Sequence, residues 1–397
     1  MDWNFTLANY GPVWAFMVQL GLLLIAMLIG NLLRRCIPLF RKCLIPSALL
    51  GGAVLLGADL LCKRYLNYEL VDNQTMQVVT YHALAIGFAA MSLKTEKTAK
   101  SQKSQVMEFG AYQGGMYMLQ ACVGLLITIG MFVATYYFKV NGESIVSYIC
   151  GLILPLAFGQ GPGNALTWDI NYTNTPEAMF TGNGSFGLSL ASIGFVVASV
   201  FGVLYINIFK KRGIERGGIA VRTGSEVQQE ETEEEIPDNE SVDKFSIQMG
   251  FVALAYAFAF GFMCLLANLS EFTNKIGWGF NFLWAAIAAM GIKAVVNFLR
   301  RKKVMSRGYI NNYQMDRISG FTFDLMIVAG VAAIEINDVK RYIVPIVVLS
   351  VIGCIITHIY TRKVAKACFK GFEHEFFLMS FGTMTGTASN GMILMKE

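Results

Sequence analysis

The stretch FGQGPGNALTWD, Phe158–Asp169, ends an apolar run, IVSYICGLILPLA, with three glycines and a proline inside five residues. Proline removes a backbone donor and glycine relaxes the backbone, so a regular helix is expected to break here. The surroundings are hydrophobic: 55% of the 397 residues are apolar, mean hydropathy is +0.50, and apolar runs of bilayer-spanning length, about 18 residues or more, recur. The pattern predicts an all-α polytopic membrane protein with spans near 11–33, 45–62, 79–93, 109–138, 180–209, 246–268, 276–299, 318–334 and 342–360. The first run lacks the short h-region and small-residue cleavage site of a removable leader and reads as a permanent span.

The formal net charge of +5 sits in short connections, where it sets orientation rather than a nucleic-acid surface. Connections 34–42, 94–103, 210–216, 300–307 and 362–370 carry 21 Lys and Arg, and the others, outside the linker, carry 6. The positive-inside rule therefore predicts an outer N-terminus. The acidic stretch 211–245, with SEVQQEETEEEIPDNES at its middle, then reads as a cytoplasmic linker too polar to bury a core. With 109–138 running outward and 180–209 running inward, the segment between them must enter from outside and return. This predicts a re-entrant hairpin over 146–166 with its tip at FGQGPGN. Irregular backbone at membrane depth is tolerated only where protein buries it or it lines a watery cavity.

The second half carries the same device. Phe158–Ala165 reads FGQGPGNA and Phe381–Ala388 reads FGTMTGTA, both F-G-x-x-x-G-x-A, and GFAAMSL at 87–93 is echoed by GVAAIEI at 330–336. Opposite orientation of the echoes predicts inverted-topology repeats over 1–210 and 246–397, the second hairpin lying at 376–391. The first half has a span after its hairpin and the second does not, so the chain reads as C-terminally truncated.

Eight scattered cysteines without a CxxC pair read as packed thiols, and three separated histidines give no zinc set or triad spacing. There is no P-loop. The chain is therefore expected to be no enzyme, to carry no cofactor and to draw on an ion gradient. A channel would need a polar pore stripe, and a membrane enzyme a reactive constellation; neither pattern is visible.

The paired Gly-rich hairpins, the segment LIPSALLGGAVLLG at 44–57 and the two halves about a cytoplasmic linker resemble the glutamate:sodium symporters, and more remotely the 2-hydroxycarboxylate transporters. Gln160 and Pro162 depart from the small-residue tip usual in that family. The resemblance implies a plasma-membrane homodimer that imports L-glutamate with sodium by an elevator-type motion. Another carboxylate or amino acid, or proton coupling, remains the alternative.

A carboxylate in a membrane interior needs donors, which N-termini of half-helices supply. On that ground Gly161, Gly163 and Asn164 of the first tip, with Thr167 beside them, and Thr385, Gly386, Thr387, Ser389 and Asn390 of the second are candidates for substrate binding. Sodium prefers oxygen ligands, which makes Gly159, Thr383 and Asp324 candidates for ion binding or coupling. The opposing reading of these small polar residues is close helix packing alone. Asp324 lies six residues into its predicted span, where it can also reach the surface or pair with Arg317. Glu335, Asn337 and Asp338 read as solvated helix ends, and Lys293 as a snorkelling lysine.

Overall fold

The computed structural model describes residues 7–94, 103–137, 147–175, 180–212, 243–305 and 308–396. Among these residues the chain is helical, with no strand. In order the helices are α1 Leu7–Cys36, α2 Pro38–Lys42, α3 Ser47–Leu66, α4 Asn73–Leu93, α5 Lys103–Tyr137, α6 Ile153–Gln160, α7 Pro162–Thr173 and α8 Ser185–Lys211. They continue as α9 Lys244–Ala267, α10 Glu271–Gly279, α11 Asn281–Arg301, α12 Asn312–Ala332, α13 Ile336–Arg341, α14 Ile343–Cys368, α15 Glu373–Thr385 and α16 Ala388–Lys396. A 3-10 turn, Tyr148–Leu152, leads into α6.

Seven of these helices are long and apolar enough to cross a membrane: α1, α4, α5, α8, α9, α11 and α14. This is the make-up of a polytopic membrane protein. The other two expected spans are helices too, α3 of 20 residues and α12 of 21, but each carries three charges in its sequence. The spanning helices differ in surroundings. The apolar window of α8 is 61% buried by the chain, whereas those of α1, α5 and α11 are each 17% buried, leaving rows of apolar side chains on the outside such as Val13, Met17, Leu28 and Leu32. Such faces suit lipid, the one solvent in which large apolar patches cost nothing.

The helix ends follow local chemistry. Ile37 is extended before Pro38, which stops α1 and starts α2. Asp243 accepts from the amides of Phe245 and Ser246 and so caps α9, and Ser270 with Thr273 forms a reciprocal cap on α10. Asn67 closes α3 in the left-handed region.

The chain divides into two compact units, and the division does not follow the halves of the sequence. One unit joins Met1–Thr80, Gly110–Gly218 and Leu325–Glu397; the other joins Tyr81–Phe109 and Ile219–Asp324. The linker proposed over 211–245 lies outside the described residues apart from 211–212 and its last three.

The first unit contains both broken segments. Its α1 and α3 cross closely: a Cβ built on Gly30 would lie 2.2 Å from the Ser47 oxygen, and one on Gly51 2.4 Å from the Ala26 oxygen. Only glycine permits that approach, the way membrane helices pack where lipid and side chain are equally apolar. A core of Ile153, Leu154, Phe158, Phe186, Leu190 and Leu349 surrounds α6, and a second one of Phe377, Phe381, Leu394 and Ile206 holds α15 and α16.

The second unit packs on alanine. Ala85 and Ala89, Ala255 and Ala259, and Ala285 and Ala289 bring α4, α9 and α11 together at i, i+4 spacing. Lys293 differs from the snorkelling expectation. Its ammonium donates to the carbonyls of Ser92 (2.7 Å) and Lys94 (2.9 Å), so a cation satisfies the C-terminal carbonyls of α4.

Candidate functional site

Both interrupted helices lie in the first unit and both interruptions occur at glycine. Between α6 and α7 stands Gly161, with φ +83° and ψ −172°, a backbone setting reserved for glycine. Pro162 then occupies the first position of α7, where its missing donor and fixed φ suit a helix start. The two arms, α6 and α7, fold back and pack beside each other. Between α15 and α16 stand Gly386 and Thr387, and a Cβ on Gly382 would lie 2.8 Å from the Gly391 Cα, which shows these arms in backbone contact.

The two tips meet. A Cβ built on Gly161 would lie 3.2 Å from the Thr387 methyl carbon and 3.9 Å from the Gly386 carbonyl oxygen. The α8 helix supports both tips, because a Cβ on Gly194 would lie 2.4 Å from the Thr385 oxygen and 3.2 Å from the Phe158 ring. Pro162 packs on Gly330 of α12. Of the predicted residues, the structure brings together Gly161, Gly386, Thr387 and Asn390; Gly159, Gly163 and Asn164 lie beside Gly161 on the first pair, and Thr383 and Thr385 on the second. The Ser389 side chain lies outside the described residues. Asp324 is exposed and is the last residue of the second unit.

Many freed backbone groups are answered internally. Thr167 donates to the Gly163 carbonyl (2.8 Å), Thr383 to Met379 (2.8 Å) and Thr385 to Phe381 (2.7 Å). Their hydroxyl oxygens keep lone pairs but no spare proton, which suits them to a cation rather than an anion. The asparagines are different. Asn164 is 1% exposed, yet among the described residues neither its amide nitrogen nor its oxygen has a partner, and the amide nitrogen of Asn390 also has none. Each stands third in the second arm of its pair, after Pro162–Gly163 and after Ala388–Ser389. An unmet buried polar group costs about 1–3 kcal/mol, which sets these two asparagines apart from the threonines.

Two side chains of α5, one turn apart, complete the surroundings. The Tyr117 hydroxyl donates to the Gly159 carbonyl (2.9 Å) near the end of α6, and the Gln120 amide donates to the Met384 carbonyl (3.0 Å) near the end of α15. Sequence reading missed both; a lone glutamine in the apolar run YMLQACVGLL was the available signal.

It missed two buried acids as well. Asp169, fully buried, accepts from the Gly187 amide (2.7 Å) and so serves the N-terminus of α8, whose own cap residue is Gly184. Asp59, 4% exposed, accepts from the amides of Leu70 and Val71 (both 3.0 Å) and pairs with Lys63 (3.0 Å). Lys63 also meets Glu69 at 2.9 Å and Glu335 at 3.6 Å. Burial lowers the affinity of Lys63 for its proton, but the Glu69 and Asp59 contacts outweigh it and hold the ammonium above its usual range. Glu335, read as a solvated end, keeps a half-exposed side chain and also accepts from Asn73 (3.2 Å). Beside it a polar recess of about 350 Å³ is lined by Asn73, Gln77, Thr173, Asn183, Glu335 and Asp338. Burial pushes the Asp338 carboxyl up, against the opposing Asn183 hydrogen bond and Arg341 charge.

Neither a protein-family model nor a curated protein matches the sequence.

Proposed function

We propose that the protein is a secondary active transporter that imports L-glutamate with sodium across the plasma membrane. The observation that carries this reading is the meeting of two broken helices, each with a buried asparagine at the third position of its second arm whose amide nitrogen has no partner among the described residues. Paired half-helices offer donors to an anionic cargo from the N-terminal ends and oxygens to a cation from the C-terminal ends. The order of elements supports an internal repeat: α1, α3, α4, α5 and a broken pair are followed by α9, α11, α12, α14 and a second broken pair. On this reading the pairs are re-entrant hairpins of inverted topology and the N-terminus lies outside. The unit that contains the pairs carries the cargo in an elevator-type motion within a homodimer.

In this account Asn164, Gly163, Thr387 and Asn390 face the cargo, and the oxygens of Gly159, Thr383 and Thr385 serve sodium. Equilibrium binding of labelled L-glutamate to the purified chain tests this. Binding should require sodium and should be competed by unlabelled glutamate. Binding that is equal in sodium and in potassium would remove the coupling ion from the account, and a dependence on pH alone would replace it with a proton.

A further inference from the structure

Gln120 is fully buried in α5, and its surroundings fix which way its amide points. The Met384 carbonyl can only accept, and the Thr357 hydroxyl already gives its proton to the Gly353 carbonyl (2.6 Å), so it too must accept. The amide nitrogen therefore faces both, at 3.0 Å and 2.9 Å, with each of its two protons engaged. The Gln120 oxygen is left buried without a donor among the described residues. A flipped amide would set oxygen against oxygen at Met384, so the orphan acceptor follows from geometry rather than from how the atoms were assigned. Met384 lies two residues before Gly386, at the meeting of the tips. The oxygen of Asn164, on α7, is a second buried acceptor without a donor among the described residues.

We infer that Gln120 is a specificity-determining residue whose amide oxygen accepts a proton from the ammonium group of the cargo, so that the site selects an amino dicarboxylate over the same dicarboxylate without its amine. The inference rests on the reading of these arms as a carboxylate site. It adds a source of selectivity that the arms themselves lack, because half-helix N-termini and asparagine amides answer carboxylates whether or not an amine is present. An ammonium brings three donors. A charged donor meeting a buried neutral acceptor is among the stronger hydrogen bonds, and a site built to receive it rejects the analogue that lacks it.

The test compares L-glutamate with glutarate as thermal stabilisers of the purified full chain in sodium, the concentration dependence giving an apparent affinity for each. The wild type should favour glutamate by about tenfold or more, the effect of one charge-assisted hydrogen bond. Gln120→Met, nearly the same in shape, should bring the ratio towards one by weakening glutamate alone. Tyr112→Phe, which removes the α5 hydrogen bond to the Thr361 carbonyl but no orphan group, should leave the ratio unchanged. If Gln120→Met does not fold, Gln120→Asn, which withdraws the oxygen by one methylene, must lower the ratio instead. Equal weakening of both ligands in Gln120→Met would make the residue a structural tie for α15 and overturn the inference while leaving the carboxylate site intact. A wild type that fails to prefer glutamate overturns it as well. A folded wild type that binds neither ligand brings down the carboxylate reading itself.

Discussion

Asn164 carries an unusual pair of properties, near-complete burial and no hydrogen-bond partner for either amide atom among the described residues. A packing residue and a binding residue predict opposite outcomes for its replacement. Asn164→Leu removes unmet polar atoms, which is neutral or stabilising for the empty protein, but it removes groups that a carboxylate would use. Melting temperature should hold or rise, and apparent affinity for glutamate should fall about tenfold or more. A lower melting temperature with unchanged affinity would assign Asn164 to packing. Gly161 makes a different prediction. With φ +83° and ψ −172°, Gly161→Ala should cost roughly 1–3 kcal/mol, read as a lower denaturation midpoint.

At Asp338 burial raises the carboxyl above its usual range, so the folded protein holds the proton more tightly than the unfolded chain. Between the unfolded and folded values stability falls as pH rises, and above the folded value the full penalty remains. Asp338→Asn should therefore raise the melting temperature at neutral pH and flatten its decline from about pH 4 upward. A variant no more stable than the wild type at neutral pH would contradict this.

The helix breaks are an element-scale property, and they were legible because Gly-Pro-Gly inside an apolar run leaves a helix no way to continue. Their register was less so. The repeated F-G-x-x-x-G-x-A aligns Gly163 with Gly386, yet the first break falls at Gly161. Pro162 explains the offset: it must begin a helix, so the break precedes it, whereas no proline stands near the second break and α15 runs on to Thr385. What supports the breaks was not legible. Tyr117 and Gln120 reach the two pairs across 42 and 264 residues of sequence, and no local pattern encodes such distances.

Asp169 belongs to the same scale, because it joins the end of the first pair to the start of α8. Asp169→Ala should leave the Gly187 amide unmet and cost about 1–3 kcal/mol, and Asp169→Asn, which keeps an acceptor, should cost less. Chemical denaturation of the two variants checks the order. Gly194→Leu should be more severe than either, since its added atoms would enter the Thr385 carbonyl 2.4 Å away and the Phe158 ring.

For the whole molecule, the seven helices able to cross a membrane among the described residues each fall on one of the nine spans expected from hydropathy. The two compact units do not follow from hydropathy, since each draws on both halves of the sequence. One unit brings the two broken pairs tip to tip, and that juxtaposition carries the case for transport. Uptake of labelled L-glutamate into proteoliposomes is the most direct test. The account predicts accumulation under an inward sodium gradient, none when potassium replaces sodium, and loss of uptake in Asn164→Leu and Asn390→Leu with folding retained. Folded, correctly inserted protein that accumulates no glutamate under a sodium gradient, or takes it up unchanged in both variants, would contradict it.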